Sequence, residues 1–415
     1  MSVYVHIPYC ASMCWYCACS VVITQDADKA VRYVDDVLLE ADLVRDAMAS
    51  GMTRGRAVDR PVVQHHWGGG TPTFLPPEEC ERLFLGLAER FPLAESAEVS
   101  IEVDPRVTQT AHLEALRRVG FHRISMGVQD FDPEVQESIH RVQGFEMTRE
   151  LILTARDLGF SSVNLDLVYG LPHQTEAGFG RSLELVADLD PDRVACYSYA
   201  HVPWLKKHQK LISVDALPDA VLKHRLYLLA HRFFLDQGME AIGMDHFAKG
   251  TDELAVAARG QRLHRNFMGY TTRPAPAMLG LGVTAIGEVS GGFLQNAKTI
   301  PEWQDAIRSG VLPVARGHRL TGEDEVRRSI ILQLMCQFGA SFEALGGRDA
   351  FFSRFKAASE ALRPMERDGL VVIGEDGLEV TPLGRLLVRN LCMVFDEYLE
   401  KQRSQLSGPR FSRTV

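Results

Sequence analysis

The sequence predicts an α/β protein: an open, partial TIM-like barrel of six strand–helix units, with a smaller, mainly helical, winged-helix-like domain after it. Three observations carry this. From residue 2 to about 290, short apolar runs rich in β-branched residues alternate with longer amphipathic stretches, the pattern of a parallel sheet with helical crossovers. Residues able to do chemistry cluster just after those runs, as they do at the C-terminal strand ends of parallel barrels. From about residue 318 the alternation stops and helical periodicity dominates.

Strands are expected at 3–7, 62–67, 99–103, 123–129, 163–168 and 194–199. The helices between them fall at 29–48, 78–90, 109–119, 147–158 and 176–189. Six units are too few to close an eight-fold barrel. Residues 218–237 read as a helix, and 243–248 as a further strand or loop. Beyond 318, helices are expected at 323–336 and 348–367, a hairpin at 370–381 around Asp376-Gly377, and a last helix at 383–401,. The expected domains are 1–290, a connector at 291–317, and 318–415 covering the barrel mouth. Helices followed by a hairpin also suit a DNA-binding winged helix. The acidic Asp396, Glu397 and Glu400 on the last helix, and the sparse basic clustering, argue against that use,.

A chain of 415 residues, 46% hydrophobic, can bury one large core and a satellite domain,. Its net charge of −9 gives no basic face for nucleic acid,. No apolar run reaches the roughly 20 residues that cross a bilayer. Eight cysteines, with nothing like a secretory signal before Cys10, fit a reducing cytoplasm and not a disulfide framework,.

The chemistry starts at Cys10, Cys14 and Cys17 in HIPYCASMCWYCAC. Iron–sulfur cubanes are normally held by four cysteines. Three thiolates leave one iron with an open position, as in a catalytic metal site, so the spacing argues for chemistry at the cluster and not electron carriage alone. Zinc would want paired C-x2-C knuckles, and only Cys19 lies near. Tyr16, between two ligands, shields the cluster or contacts a ligand.

Gly68-Gly69-Gly70-Thr71 ends a strand. Glycines let backbone amides approach a ligand closely and Thr71 adds a hydroxyl, although such a run is also an ordinary turn. Glu102 can accept two hydrogen bonds from a ribose diol; the plainer reading of Glu102 and Asp104 is a solvated charge pair at a strand end. Gln129, Arg141 and Asp166 offer an amide, a fixed cation and a carboxylate to one pocket, while a lone arginine after a helix is also a common surface ion pair. His6, His201, His246 and His264 are proton donors or buried, hydrogen-bonded histidines.

These motifs resemble a known family. C-x3-C-x2-C is the signature of radical S-adenosylmethionine (SAM) enzymes. YVHIPYC, HWGGGTPT, SIEVDPR, RISMGVQDF, HRVQGFEMT, NLDLVYGLPHQT, YSYAHVP, GMDHFA and LHRNFMGYTT narrow the resemblance to the oxygen-independent coproporphyrinogen III oxidases, almost end to end from Tyr4 to the FSRTV tail. The resemblance implies a partial radical SAM barrel and a [4Fe-4S] cluster on Cys10, Cys14 and Cys17, with an exchangeable SAM on the open iron. It places Tyr4, Gly69, Gly70, Thr71, Glu102, Ala200 and Ile286 around that first SAM, and Tyr16, Gln129, Arg141 and Asp166 around a second. Cys19 and Tyr4 are its candidates for catalytic residues.

The implied reaction converts two propionates of coproporphyrinogen III to vinyls through a 5′-deoxyadenosyl radical, giving protoporphyrinogen IX in haem biosynthesis. Arg141, Arg265 and Arg273 are candidates to meet the substrate's carboxylates. A low-potential donor such as flavodoxin or ferredoxin is implied, with a monomeric, cytoplasmic protein and neither nucleic acid nor membrane as partner. The family carries several dozen residues before the YVHIP strand, and here the chain starts three residues before Tyr4; the expectation is an effect on substrate access. A paralogue that transfers methyl groups or opens haem, and a haem chaperone, are the competing readings. The chaperones lack the fourth cysteine, so Cys19 favours the oxidase.

Overall fold

The structure, a computed structural model, describes residues 1–50, 60–289 and 291–399. The chain forms two compact units: Met1–Phe233 with Ala275–Arg319, and Phe234–Pro274 with the described residues from Leu320.

The first unit alternates β1 (Ser2–Ile7), α1 (Ala27–Ala49), β2 (Val62–Gly69), α2 (Pro77–Arg90), β3 (Leu93–Val103), α3 (Thr110–Val119), β4 (Arg123–Gln129), α4 (Phe145–Asp157), β5 (Ser162–Tyr169), α5 (Glu176–Asp188) and β6 (Arg193–Ser198). All six expected strands and their five helices are present, with ends shifted by a few residues. Local chemistry sets the helix starts: Asp26 and Thr175 accept backbone N–H bonds at the N-caps of α1 and α5,. The strands β1 to β6 lie side by side in chain order, all parallel. Their helix-facing side and the helices bury an aromatic cluster in which the Trp67 and Phe84 rings each stand 5.1 Å from Phe121.

The sheet continues past β1 where no strand was expected. β7 (Met278–Leu281) pairs parallel to β1, and β8 (Ile286–Val289), β9 (Gly292–Asn296) and β10 (Val314–Arg319) follow antiparallel. Helix α6 (Ile300–Arg308) joins the last two. The residues expected to form a connector, 291–317, are thus mostly sheet and helix. Glycine explains the omission: a Cβ on Gly280 would stand 2.4 Å from the Ile286 carbonyl oxygen. The β7–β8 contact therefore needs a residue that weakens strand propensity.

The second unit also divides the chain differently from the expected boundaries, since 234–274 packs with the C-terminal residues. A hairpin (Met239–Ile242 with His246–Lys249) and a helix (Glu253–Arg259) precede a second hairpin (His264–Asn266 with Gly269–Thr271). Helix Gly322–Gln337 then leads to a three-stranded sheet of Gly339–Ser341, Val371–Ile373 and Gly377–Val380. The expected hairpin is there, with an unexpected third strand. The single helix expected at 348–367 is two, Arg348–Arg354 and Lys356–Arg367, broken at the buried Phe355 (φ −110°, ψ 48°). The last helix is replaced by Pro382–Arg385 and Val388–Met393, with Leu387 outside the helical basin (φ −121°); residues 400–401 of that expectation, and the FSRTV tail, lie outside the described residues.

Candidate functional site

The cysteine loop leaves the C-terminal end of β1 and is fixed on three sides by backbone bonds. Gly70 N–H donates to Ile7 O (2.7 Å) and Thr71 N–H to Tyr9 O (2.8 Å), tying it to the end of β2. Trp15 N–H donates to Ile139 O (2.9 Å), and the Trp15 ring stacks on His140 at 5.2 Å. From the third side Lys206 Nζ donates to Cys19 O (2.9 Å) and Gln209 Nε2 to Tyr16 O (2.8 Å), while His208 Nε2 lies 2.7 Å from Cys17 O.

The glycine run also anchors the loop. Two of its amides serve the loop, and glycine is required because a Cβ on Gly70 would sit 2.7 Å from the Pro8 carbonyl. Gly69 adopts φ 114°, where L side chains are strained, and a Cβ there would meet the His6 ring at 2.5 Å,.

Each predicted ligand sulfur has a polar neighbour. Cys10 Sγ is 3.4 Å from Thr71 Oγ1. Cys14 Sγ accepts from Arg106 Nη2 (3.3 Å) and Arg141 Nη1 (3.8 Å). Cys17 Sγ accepts from Cys19 N–H (3.3 Å). The side-chain bond between the Cys17 and Cys19 thiols pulls Cys17 down to about 7 and pushes Cys19 up, whereas burial pushes Cys10 up to about 11. Thiolates aimed at N–H and O–H donors are the donor set of iron–sulfur chemistry, so these residues fit the cluster. Among the described residues no three His, Cys, Asp or Glu side chains converge on a single metal ion; a cubane that meets each thiolate through a different iron needs no such convergence.

The loop forms one wall of a cavity of about 170 Å³ at the strand ends. Opposite it stand Gly69, Thr71, Glu102, Gln129, Arg141 and Asp166, from five successive strand ends and loops. Glu102, its side chain about half exposed, is braced by its neighbours. Its carboxylate accepts from Gly69 N–H (3.3 Å) and lies 3.4 Å from His66 Nε2, whose Nδ1 is 2.8 Å from Ser100 Oγ. Burial opposes its ionisation, but His66 and Gly69 outweigh that and hold Glu102 below the usual carboxylate range,. Asp104 holds two guanidiniums. Arg106 forks onto it (2.7 and 3.0 Å) and Arg141 Nη1 donates at 3.0 Å. Burial again opposes, and the two arginines bring Asp104 to about 2.

Arg141 is buried and also donates to Gly127 O (2.7 Å) and Gln143 Oε1 (3.0 Å), while its Nε finds no partner among the described residues. It is thus no surface ion pair. Asp166 accepts from Ser125 Oγ (3.1 Å) and Asn164 Nδ2 (2.8 Å). Gln129 sits at a register shift against β5, with φ 69°, a conformation that costs a non-glycine residue roughly 1–3 kcal/mol.

The cavity thus brings together Cys10, Cys14, Tyr16, Cys17, Cys19, Gly69, Gly70, Thr71, Glu102, Gln129, Arg141 and Asp166. Tyr4, Ala200 and Ile286 do not line it. Tyr4 acts from behind: its ring stacks on His66 at 6.1 Å and its hydroxyl lies 3.1 Å from His6 Nδ1. Ala200 shares Gln209 with Tyr16, its carbonyl accepting at 3.1 Å. Ile286 lies on β8 opposite Gln295.

His6 is buried and bonded as the plainer reading held, and His264 is exposed. His201 Nδ1 lies 2.9 Å from Tyr199 Oη and His246 Nδ1 lies 2.7 Å from Asp245. Arg265 and Arg273 belong to the second unit, Arg265 over the Tyr270 ring (5.4 Å) and Arg273 4.0 Å from Glu253. Arg106, His66, Ser125, Asn164 and Gln209 were missed as site residues. Arg106 stood inside SIEVDPR and His66 two residues before the first glycine, opposite Ser100, where period-2 alternation puts it on the same face as Glu102,.

Comparison with known proteins adds the following. Residues 4–186 match the radical SAM superfamily, and 320–387 the HemN C-terminal domain. The oxygen-independent coproporphyrinogen III oxidase of Synechocystis sp. is 42% identical over all of this chain and 88% of its own length. That of Helicobacter pylori is 42% identical over 96% of this chain and 86% of its own. The solved Escherichia coli coproporphyrinogen III oxidase (HemN), described as a radical SAM enzyme, superposes with a TM-score of 0.90 at 41% identity, covering 96% of this chain and 90% of the other.

Proposed function

Because the chain belongs to the family of oxygen-independent coproporphyrinogen III oxidases, we propose that it oxidatively decarboxylates coproporphyrinogen III to protoporphyrinogen IX without oxygen, turning two propionates into vinyls. The observation that carries this is the set of three thiols with donors on their sulfurs, facing Glu102 across one cavity. When bound, the cluster and SAM supply the 5′-deoxyadenosyl radical that takes a hydrogen from the propionate.

The protein's own residues have distinct tasks. Cys10, Cys14 and Cys17 would hold the cluster through three of its irons. Thr71, Arg106, Arg141 and the Cys19 N–H orient the sulfurs and offset their charge. Glu102, kept ionised by His66, takes the ribose diol of a first SAM, and Gly69, Gly70 and the Thr71 hydroxyl border its methionine end. Tyr4 supports this wall through His66, and Ala200 and Ile286 complete the first SAM's surroundings. Tyr16, Gln129, Arg141 and Asp166 are assigned to a second SAM, with Arg141 Nε as its donor. Cys19, which lines the cavity and is kept protonated by its hydrogen bond to Cys17, is assigned to proton handling, and Tyr4, kept protonated by burial, supports it from behind through His6 and His66. Arg265 and Arg273 are proposed for substrate carboxylates.

The electron comes from a low-potential carrier such as flavodoxin or ferredoxin, and the protein works as a monomer in the cytoplasm. Among the described residues no helix is long and apolar enough to cross a membrane. The test is anaerobic: reconstituted protein, SAM, a low-potential reductant and coproporphyrinogen III, with tetrapyrrole masses followed by chromatography. Stepwise loss of two carboxyl groups alongside 5′-deoxyadenosine is expected; deoxyadenosine with unchanged tetrapyrrole would overturn the substrate assignment.

A further inference from the structure

Residues 204–211 form a 3₁₀ turn with its flank, and this turn grips the cysteine loop from outside. Its inward groups are spent on the loop backbone, at the carbonyls of Tyr16, Cys17 and Cys19. Its outward face has nothing to do in the reaction as described, yet its composition is unusual. Trp204, Leu205 and Leu211 are 43%, 64% and 59% exposed. WLKKHQK, residues 204–210, carries Lys206, Lys207, Lys210 and His208 and no acid, in a chain of net charge −9. Lys207 and Lys210 are exposed and make no ion pair among the described residues. A large aromatic and leucines beside unpaired cations is the make-up of a protein interface with an electrostatically steered partner.

We propose that this turn is the docking surface for an acidic one-electron carrier protein that feeds the cluster. The proposal rests on the radical SAM reading and adds where the electron enters. Position and charge both argue for this occupant. The turn touches the backbone of two cluster-loop cysteines, so a carrier seated on it sits against the segment that carries the thiols. Its charge, opposite in sign to the protein's own, would repel a second copy's basic turn and attract an acidic patch. The step is a plain electron transfer: the carrier is oxidised by one electron, the cluster reduced by one, and no bond forms or breaks.

The experiment uses the full chain, reconstituted anaerobically, and a photoreduced flavodoxin as probe. Cluster bleaching is followed by stopped-flow against flavodoxin concentration, with dithionite as a small reductant that needs no docking. Lys207→Glu with Lys210→Glu is expected to slow reduction by flavodoxin about tenfold at low salt. The gap should shrink as salt rises, since exposed charges are screened within about 10 Å at 0.1 M, and the dithionite rate should not move. Lys207→Arg with Lys210→Arg should keep the wild-type rate. Equal flavodoxin rates in wild type and the glutamate variant would overturn the proposal and leave the enzyme reading intact. A cluster that not even dithionite reduces would overturn both.

Discussion

Two cavities of the first unit differ in what their charged groups are for. One, of about 520 Å³, opens between α1 and the β7–β10 extension and is lined by residues such as Val44, Met48, Leu279, Phe293, Leu294 and Pro313. The cysteine cavity is much smaller, about 170 Å³. Among the described residues Glu40 is the one carboxylate bordering the large cavity, whereas Glu102, Asp104 and Asp166 border the small one. Glu40, in the large cavity, accepts from Gly282 N–H (2.7 Å), Asn296 Nδ2 (2.6 Å) and Trp303 Nε1 (3.0 Å) with no cation beside it, and burial pushes it up to about 7. Glu102, in the small one, is held down by His66 and keeps an open side toward the cavity. Size therefore does not mark the site. Glu40 is consumed by the fold, stitching α1 to the β7–β8 turn; Glu102 is braced from behind and left available.

The comparison can be broken at its strongest point by Cys14→Ala. Iron loading and SAM cleavage should both vanish, seen as loss of the visible charge-transfer band and of deoxyadenosine, while the large cavity and its packing stay as they are. Next is Gly69→Ala, which puts a methyl against the His6 ring at a left-handed φ. It should cost about 2 kcal/mol in urea unfolding and reduce cluster content.

Glu40→Gln sharpens the other side. Between pH 4.5 and about 7 folded Glu40 holds a proton that the unfolded chain has released. Stability thus falls as pH rises through that window and is level above it, by at most about 3 kcal/mol. The variant should flatten this slope in urea midpoints taken from about pH 5 to about pH 8, with SAM cleavage retained. The smallest effect is expected from His66→Gln. Losing one bond to Glu102 should weaken SAM binding about fivefold, a step of about 1 kcal/mol. Because His66 holds Glu102 down, the acid limb of binding should also move to higher pH, measurable by equilibrium dialysis.

Much of this was legible in the residues. The six parallel strands announce themselves because each is a short, β-branched run closed by a helix signal, and the cavity residues follow them as strand-end chemistry requires. What escaped notice has physical reasons. β7 to β10 are glycine-rich or, in β10, exposed throughout, so neither propensity nor alternation marks them. Arg106 and His66 act chiefly on other side chains, and which side chain faces which is settled by register, not spacing. The break at Phe355 comes from a buried ring overriding helical periodicity. The loop-anchoring role of Gly70 was not legible because a turn glycine that admits a ligand and one that admits a neighbouring loop look alike in one dimension.

The pairing of β1 with β7 also has a consequence for how the protein is made. Ser2 pairs with Met278, 276 residues later. At about 5–20 residues per second a ribosome needs roughly 14–55 s to supply that partner. Through that interval β1 has one bare edge, an invitation to wrong pairing, and the three thiols it leads into hang from a half-built sheet. The sheet edge beside the cysteine loop is therefore complete only after more than half of the chain has been made.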